Sequence, residues 1–135
     1  DNKLFSYGAN CGVGPSEMVE TILKLKKSQN IDTPLIAKGN CGIPSYHEGK
    51  IVYNGTPAIM SDYALLAFKA GAKIIGGCCG TTPSHIGAMR GALERASTSG
   101  SYSADEHFKK LGKPWEKTDR SKKRVRRSSL RDKPS

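Results

Sequence analysis

Three short apolar segments each run into a glycine-rich, cysteine-bearing loop, and helical patterns separate them. The segments end at Asn10, Gly39 and Gly77, spacings of 29 and 38 residues. Consecutive βα units of about 30 residues or more give this spacing. Strands alternating with helices argue for a parallel sheet, because a parallel partner is reached only through a crossover. Each glycine-rich loop follows a strand and not a helix. Cys11, Cys41 and the pair Cys78-Cys79 therefore fall at the carboxyl ends of three parallel strands. In barrels and open α/β sheets alike, this edge carries the chemistry.

Local signals place the elements. Leu4 to Asn10 reads as a strand and Gly12 to Pro15 as a loop. Ser16 is placed to cap a helix through about Ser28, with Met18, Val19, Ile22, Leu23 and Leu25 near helical period. Pro34 to Lys38 is a second strand. Gly39 to Gly55 is a long loop, with a small hairpin expected at Ile51-Val52-Tyr53. Thr56-Pro57 is an N-cap followed by a first-turn proline, and Gly71 ends the helix that begins there. Lys73 to Gly77 is the third strand. Thr82-Pro83 repeats the cap for a helix through about Ala96.

Three parallel strands do not close a structure, and both edges of such a sheet are bare. The expected fold class is therefore α/β: the C-terminal three βα units of a (β/α)8 TIM barrel, which as a whole needs about 250 residues. The chain of 135 residues starts directly in a strand, in keeping with a piece of a larger domain.

The charge is uneven. Residues 1–100 carry 10 basic and 7 acidic side chains, residues 101–135 carry 12 and 5. After Trp115 the only aliphatic side chains are Val125 and Leu130. Such a stretch has too little apolar surface to offset its ordering entropy. The expected organisation is a body over 1–100, a docking segment over 101–117 and a disordered basic tail over 118–135. Tyr102, Phe108 and Trp115 are expected to dock the start of the tail onto the body. A Lys/Arg run also suits nucleic acid, but this one lacks the interleaved aromatics that stack on single-stranded bases. A solvated tail is the favoured reading and a nucleic-acid accessory role the less favoured one.

No apolar run approaches the roughly 18 residues of a membrane span. Asp1-Asn2-Lys3-Leu4 shows no charged-then-apolar leader. Four cysteines, two of them adjacent, do not make a secreted disulfide scaffold. Reduced thiols in the cytoplasm fit better. Zinc prefers thiolates at about 2.3 Å, and catalytic zinc keeps three protein ligands and one open position. One cysteine at one strand end and a Cys-Cys pair at a later one supply three thiolates. Spacing alone leaves two other readings open: inert buried cysteines, and a redox module in which Cys11, Cys78 and Cys79 interconvert between thiol and disulfide.

Gly8-Ala9-Asn10-Cys11-Gly12 and Gly76-Gly77-Cys78-Cys79-Gly80-Thr81, continued by Thr82-Pro83-Ser84-His85-Ile86, resemble the two zinc motifs of the homocysteine S-methyltransferase family. Ala37-Lys38-Gly39-Asn40-Cys41-Gly42-Ile43-Pro44 and the basic tail resemble its bacterial betaine–homocysteine methyltransferases. The likeness covers about residues 4–95. It implies a (β/α)8 barrel with Cys11, Cys78 and Cys79 as zinc ligands on strands six and eight. It implies that Zn2+ binds homocysteine through sulfur. The resulting thiolate then attacks a methyl group on a positively charged donor, betaine by this resemblance, and methionine forms. A quaternary ammonium donor calls for an aromatic cage. In the family the donor site and much of the amino-acid site come from the earlier strands, supplied in cis or in trans, so this chain is expected to be inactive alone. Asn10 is the candidate for binding a substrate carboxylate, or else fixes its loop. Cys41 is read as a neighbour of the metal or a structural thiol. His47 and His85 are read as structural or exposed, and Tyr46 and Tyr53 as packing residues or the mouth of the site.

Overall fold

The computed structural model describes residues 4–28, 32–96 and 100–114. Strand β1 (Tyr7–Cys11) leads into helix α1 (Pro15–Ser28), which returns the chain to strand β2 (Leu35–Gly39). A hairpin of β3 (Pro44–His47) and β4 (Lys50–Tyr53) precedes helix α2 (Pro57–Ala70). Strand β5 (Ala72–Gly77), helix α3 (Pro83–Arg95) and helix α4 (Ala104–Leu111) complete the described chain. Among the described residues no helix is long and apolar enough to cross a membrane.

β1, β2 and β5 form one parallel sheet in that order, and β3 pairs with β4 antiparallel. The register aligns Tyr7 with Leu35 and Ala72, Asn10 with Lys38 and Gly76, and Cys11 with Gly39 and Gly77. Strand order follows chain order without a reversal, so each crossover steps the sheet one place in the same direction. The helices cover one face. Leu35, Ala37 and Ala72 are buried there against Val19 and Ile22 of α1 and Met60, Ala64 and Ala67 of α2. The opposite face carries Gly8, Ile36, Lys38 and Ile74; Lys38 is exposed, and Ile74 is 45% exposed.

Tyr63 of α2 is fully buried and ties two strand ends together. Its hydroxyl oxygen accepts from the Gly39 N–H at 3.1 Å, and its O–H lies 3.4 Å from the Gly76 carbonyl. Burial pushes the phenol pKa up, so the group stays a neutral donor and acceptor. Tyr63→Phe keeps the ring but strands the Gly39 N–H. The expected loss is about 1–2 kcal/mol of unfolding free energy, read from the urea midpoint at unchanged slope.

Several sequence expectations shift. The strand read from Leu4 begins at Tyr7, and Leu4 and Phe5 are exposed. Ser16 does not cap α1; Pro15 opens the helix, as first-turn prolines do, and Ser16 lies inside the first turn. Its Oγ donates to the Gly112 carbonyl at 2.5 Å and meets His107 Nε2 at 2.9 Å. The hairpin is longer than expected. Its tip, Glu48-Gly49, has φ of 49° and 79° at its two central residues, the signature of a tight two-residue turn that matches strand twist. Thr56 caps α2 through a bond from the Ile59 N–H, and Gly71 ends it, as read.

Helix α4 has no counterpart in the sequence reading. It docks through His107, which is fully buried. Nε2 donates to the Ser16 carbonyl at 3.1 Å, while Nδ1 accepts from the Tyr102 hydroxyl at 2.5 Å. Burial lowers the imidazole pKa, which keeps the ring neutral and this tautomer in place. Glu106 adds pairs to Lys69 of α2 and to Lys110. Tyr102 packs at the core edge as expected, but Phe108 remains 37% exposed. Trp115 and the basic tail lie outside the described residues.

Candidate metal centre

The loops after β1 and β5 bring three thiols together. Cys11 Sγ lies 3.1 Å from Cys78 Sγ and 3.8 Å from Cys79 Sγ, and the Cys78 and Cys79 sulfurs are 3.9 Å apart. Among the described residues this is the one group of three or more His, Cys, Asp or Glu side chains whose ligand atoms cluster within 4.8 Å.

The backbone is bent to achieve this. Cys11 ends β1 at φ 64°, a left-handed conformation that non-glycine residues rarely hold. Alternation along β1 would have sent its side chain toward the helices, as for Tyr7 and Ala9. The left-handed turn redirects the thiol across the sheet end to the β5 loop. Gly80 makes the matching turn beyond Cys79 at φ 79°, and a Cβ there would lie 2.5 Å from the Tyr53 ring. Only glycine fits between that ring and the cysteine pair.

The middle strand holds both loops. The Cys78 N–H donates to the Gly39 carbonyl at 2.9 Å, and the Cys41 N–H donates to the Cys79 carbonyl at 2.9 Å. Asn40 fills the gap between the loops and is 5% exposed. Its Nδ2 donates to the Gly12 carbonyl at 2.8 Å. Its Oδ1 accepts from the Cys11 thiol and from the Cys79 N–H, each at 3.3 Å. Asn10, the candidate from sequence, takes no part in this bridge, and Asn40 makes it. The signal available was the repetition of Asn-Cys-Gly at 10–12 and 40–42. Asn10 lies on the helix-free face, exposed, beside Lys38.

Cys41 is 1% exposed and turns away from the cluster, its thiol donating to the Gly55 carbonyl at 3.0 Å. Burial raises its pKa. His85 is bound up in structure. Nδ1 accepts from the Thr82 N–H at 3.1 Å, and Nε2 donates to the Gly55 carbonyl at 2.9 Å. His47 and Tyr46 are exposed on the hairpin. Tyr53 lies beside the cluster, its ring against Gly80, and the neighbouring Cys79 is the main cause that pushes its phenol pKa up.

Cys11 and Cys78 hold their protons unequally. The hydrogen bond between Cys11 and Cys78 is the main cause in both directions: it pushes Cys11 up to about 11 and lowers Cys78. The Lys38 ammonium adds to the lowering at Cys78. Crowded thiolates repel, so a bound cation is what allows all three to deprotonate. The spacing suits one. Two thiolates about 2.3 Å from a tetrahedral ion lie about 3.8 Å apart, which two of the three pairs match. The Cys11–Cys78 pair is shorter and has to open slightly. Donor type and geometry fit a thiolate-bound metal.

The match to known proteins follows the same residues. The homocysteine S-methyltransferase family matches residues 1–93, and the chain belongs to that family. It is similar to methionine synthase of Mycobacterium leprae, 37% identical over 92 residues, which is 67% of this chain. It is also similar to methionine synthase of Mycobacterium tuberculosis, 36% identical over 88 residues, 64% of this chain. The chain spans about 7% of the length of either relative.

Proposed function

We propose that this chain carries the metal half of a zinc-dependent homocysteine S-methyltransferase site, with Cys11, Cys78 and Cys79 holding the zinc. The observation that carries this is the three-thiol cluster at the carboxyl edge of a parallel sheet, all three cysteines lying within the residues that match the family. Zinc in that cluster supplies a positive charge that keeps the homocysteine sulfur a thiolate at neutral pH. The chain's own part is positioning. Asn40 and the Gly39 and Cys41 backbone hold the two loops in register, and Tyr63 holds the strand ends beneath them. Tyr53 and Gly80 close one side of the cluster.

The unreversed strand order and the helix-free face with Ile36 and Ile74 support three consecutive units of a (β/α)8 barrel. Further strands, in cis or in trans, then bury that face and bring the methyl-donor site. Betaine is the donor proposed from the resemblance to the bacterial enzymes. The name methionine synthase, borne by both relatives, gives the same product. The organisation proposed is a body over 1–100, a docking segment over 101–117 and a solvated basic tail over 118–135, in a cytoplasmic protein.

The test is methionine formation from homocysteine and betaine, measured with the completing strands present and with residues 1–135 alone, beside zinc content. Zinc near one per chain, with turnover only when the strands are supplied, is the expected result. Zinc-free reduced protein would instead favour the thiol-redox reading. Full turnover by residues 1–135 alone would overturn the shared-site reading.

A further inference from the structure

Lys38 is out of place for a parallel sheet. It lies on the middle strand, and Leu35, Ala37 and Gly39 of the same strand are buried beneath the helices. Lys38 projects from the other face. Its register neighbours are Asn10 on β1 and Gly76 on β5, neither of them acidic. Among the described residues Lys38 makes no ion pair, whereas Lys69 and Lys110 both pair with carboxylates. Exposed here, this lysine would carry a desolvation cost once further strands closed over that face, unless an anion met it there.

The geometry shows which way the stem runs. A Cβ at Gly76 would lie 3.7 Å from Lys38 Cγ, so the lysine stem crosses the space this glycine leaves open. Its register neighbours lie one residue before Cys11 on β1 and two residues before Cys78 on β5, which puts Lys38 on the open face just beneath the cluster. Asn10 stands beside it with no hydrogen bond to its own loop among the described residues.

We propose that Lys38, with Asn10 beside it, binds a substrate carboxylate in the methyl-transfer site; this rests on the function proposed above. The carboxylate of a sulfur-bound homocysteine lies about 5 Å from its sulfur when extended. A four-carbon lysine stem starting one residue before the end of β2 can reach such a group. Betaine also carries a carboxylate, so the shared chemistry is a small-molecule carboxylate and the experiment separates the two sources.

The experiment uses the zinc-loaded enzyme with its barrel strands complete. Lys38→Met and Lys38→Arg are compared with the parent by calorimetric titration with homocysteine and with betaine, and by steady-state kinetics. A charge-assisted bond of this kind changes affinity about 10- to 100-fold. Lys38→Met is expected to raise KM and Kd by that factor for one substrate, with zinc content unchanged and kcat at saturation within about threefold. Lys38→Arg is expected to recover part of the loss. A rise confined to homocysteine assigns its carboxylate, and a rise confined to betaine assigns the donor's. With 3-aminopropane-1-thiol, which is homocysteine without the carboxylate, parent and Lys38→Met should be alike if Lys38 holds the acceptor. Unchanged constants for both substrates would overturn the inference. So would zinc loss in Lys38→Met, which would make the lysine a counter-charge of the cluster. If the parent binds homocysteine but forms no methionine, the proposed function fails while the titration still decides Lys38. If the parent binds neither substrate, both fail.

Discussion

Alanine at Cys11, Cys78 or Cys79 is expected to empty the metal centre. Each sulfur is within 3.9 Å of the other two, and nothing else among the described residues offers a ligand at that point. Two thiolates cannot complete a three-ligand site, and the neighbouring side chains are committed. His85 uses both ring nitrogens at Thr82 and Gly55, and Asn40 Oδ1 is engaged with Cys11 and the Cys79 N–H. Elemental analysis should therefore read about one zinc per chain in the parent and close to none in each variant. Cys41→Ala is the control. That thiol is bonded to the Gly55 carbonyl, away from the cluster, so its loss should cost about 1 kcal/mol of stability and leave zinc in place. Full zinc in any of the first three variants would remove that residue from the ligand set. Zinc loss on removing Cys41 would put it in.

The contrast between these cysteines shows what a sequence makes legible. Spacing placed all four at strand ends, because strand and helix periodicities are strong where Pro and Gly mark the boundaries, as at Thr56-Pro57 and Gly71. Spacing did not separate Cys11 from Cys41, since both sit in Asn-Cys-Gly. The difference is a backbone angle: Cys11 is left-handed at φ 64°, whereas Cys41 is directed into the core against Gly55. Likewise α4 was invisible. Its apolar face is small, and it is fastened by a polar contact, His107 on Ser16, across 91 residues. A buried histidine of that kind leaves no periodic signal. Ser16 looked like a cap because serine is a good one, yet its hydroxyl serves the distant Gly112 carbonyl.

Asn40→Ala is expected to weaken zinc binding about 10- to 100-fold with every cysteine intact, the range seen when a group that orients metal ligands is lost. Among the described residues Asn40 is the one side chain from outside the two ligand loops that hydrogen-bonds to both, through the Gly12 carbonyl, the Cys11 thiol and the Cys79 N–H. Truncation removes the bridge between the Gly12 carbonyl and the Cys79 N–H; both residues are exposed, so water replaces the lost bonds without tying the two loops together. The strained turn at Cys11 then loses the bond that holds it, and the sulfur can swing away from β5. Competition against a chromophoric chelator measures the effect directly. Asn40→Asp is the informative second variant. It keeps an acceptor for Cys79 but cannot donate to Gly12, and it places a negative charge beside three thiolates. It should therefore bind zinc no better than Asn40→Ala. Asn10→Ala, on the open face with no side-chain hydrogen bond to either loop among the described residues, should bind zinc as the parent does. Equal zinc affinity in Asn40→Ala and the parent would mean that the backbone bonds from Cys78 to Gly39 and from Cys41 to Cys79 suffice to hold the centre.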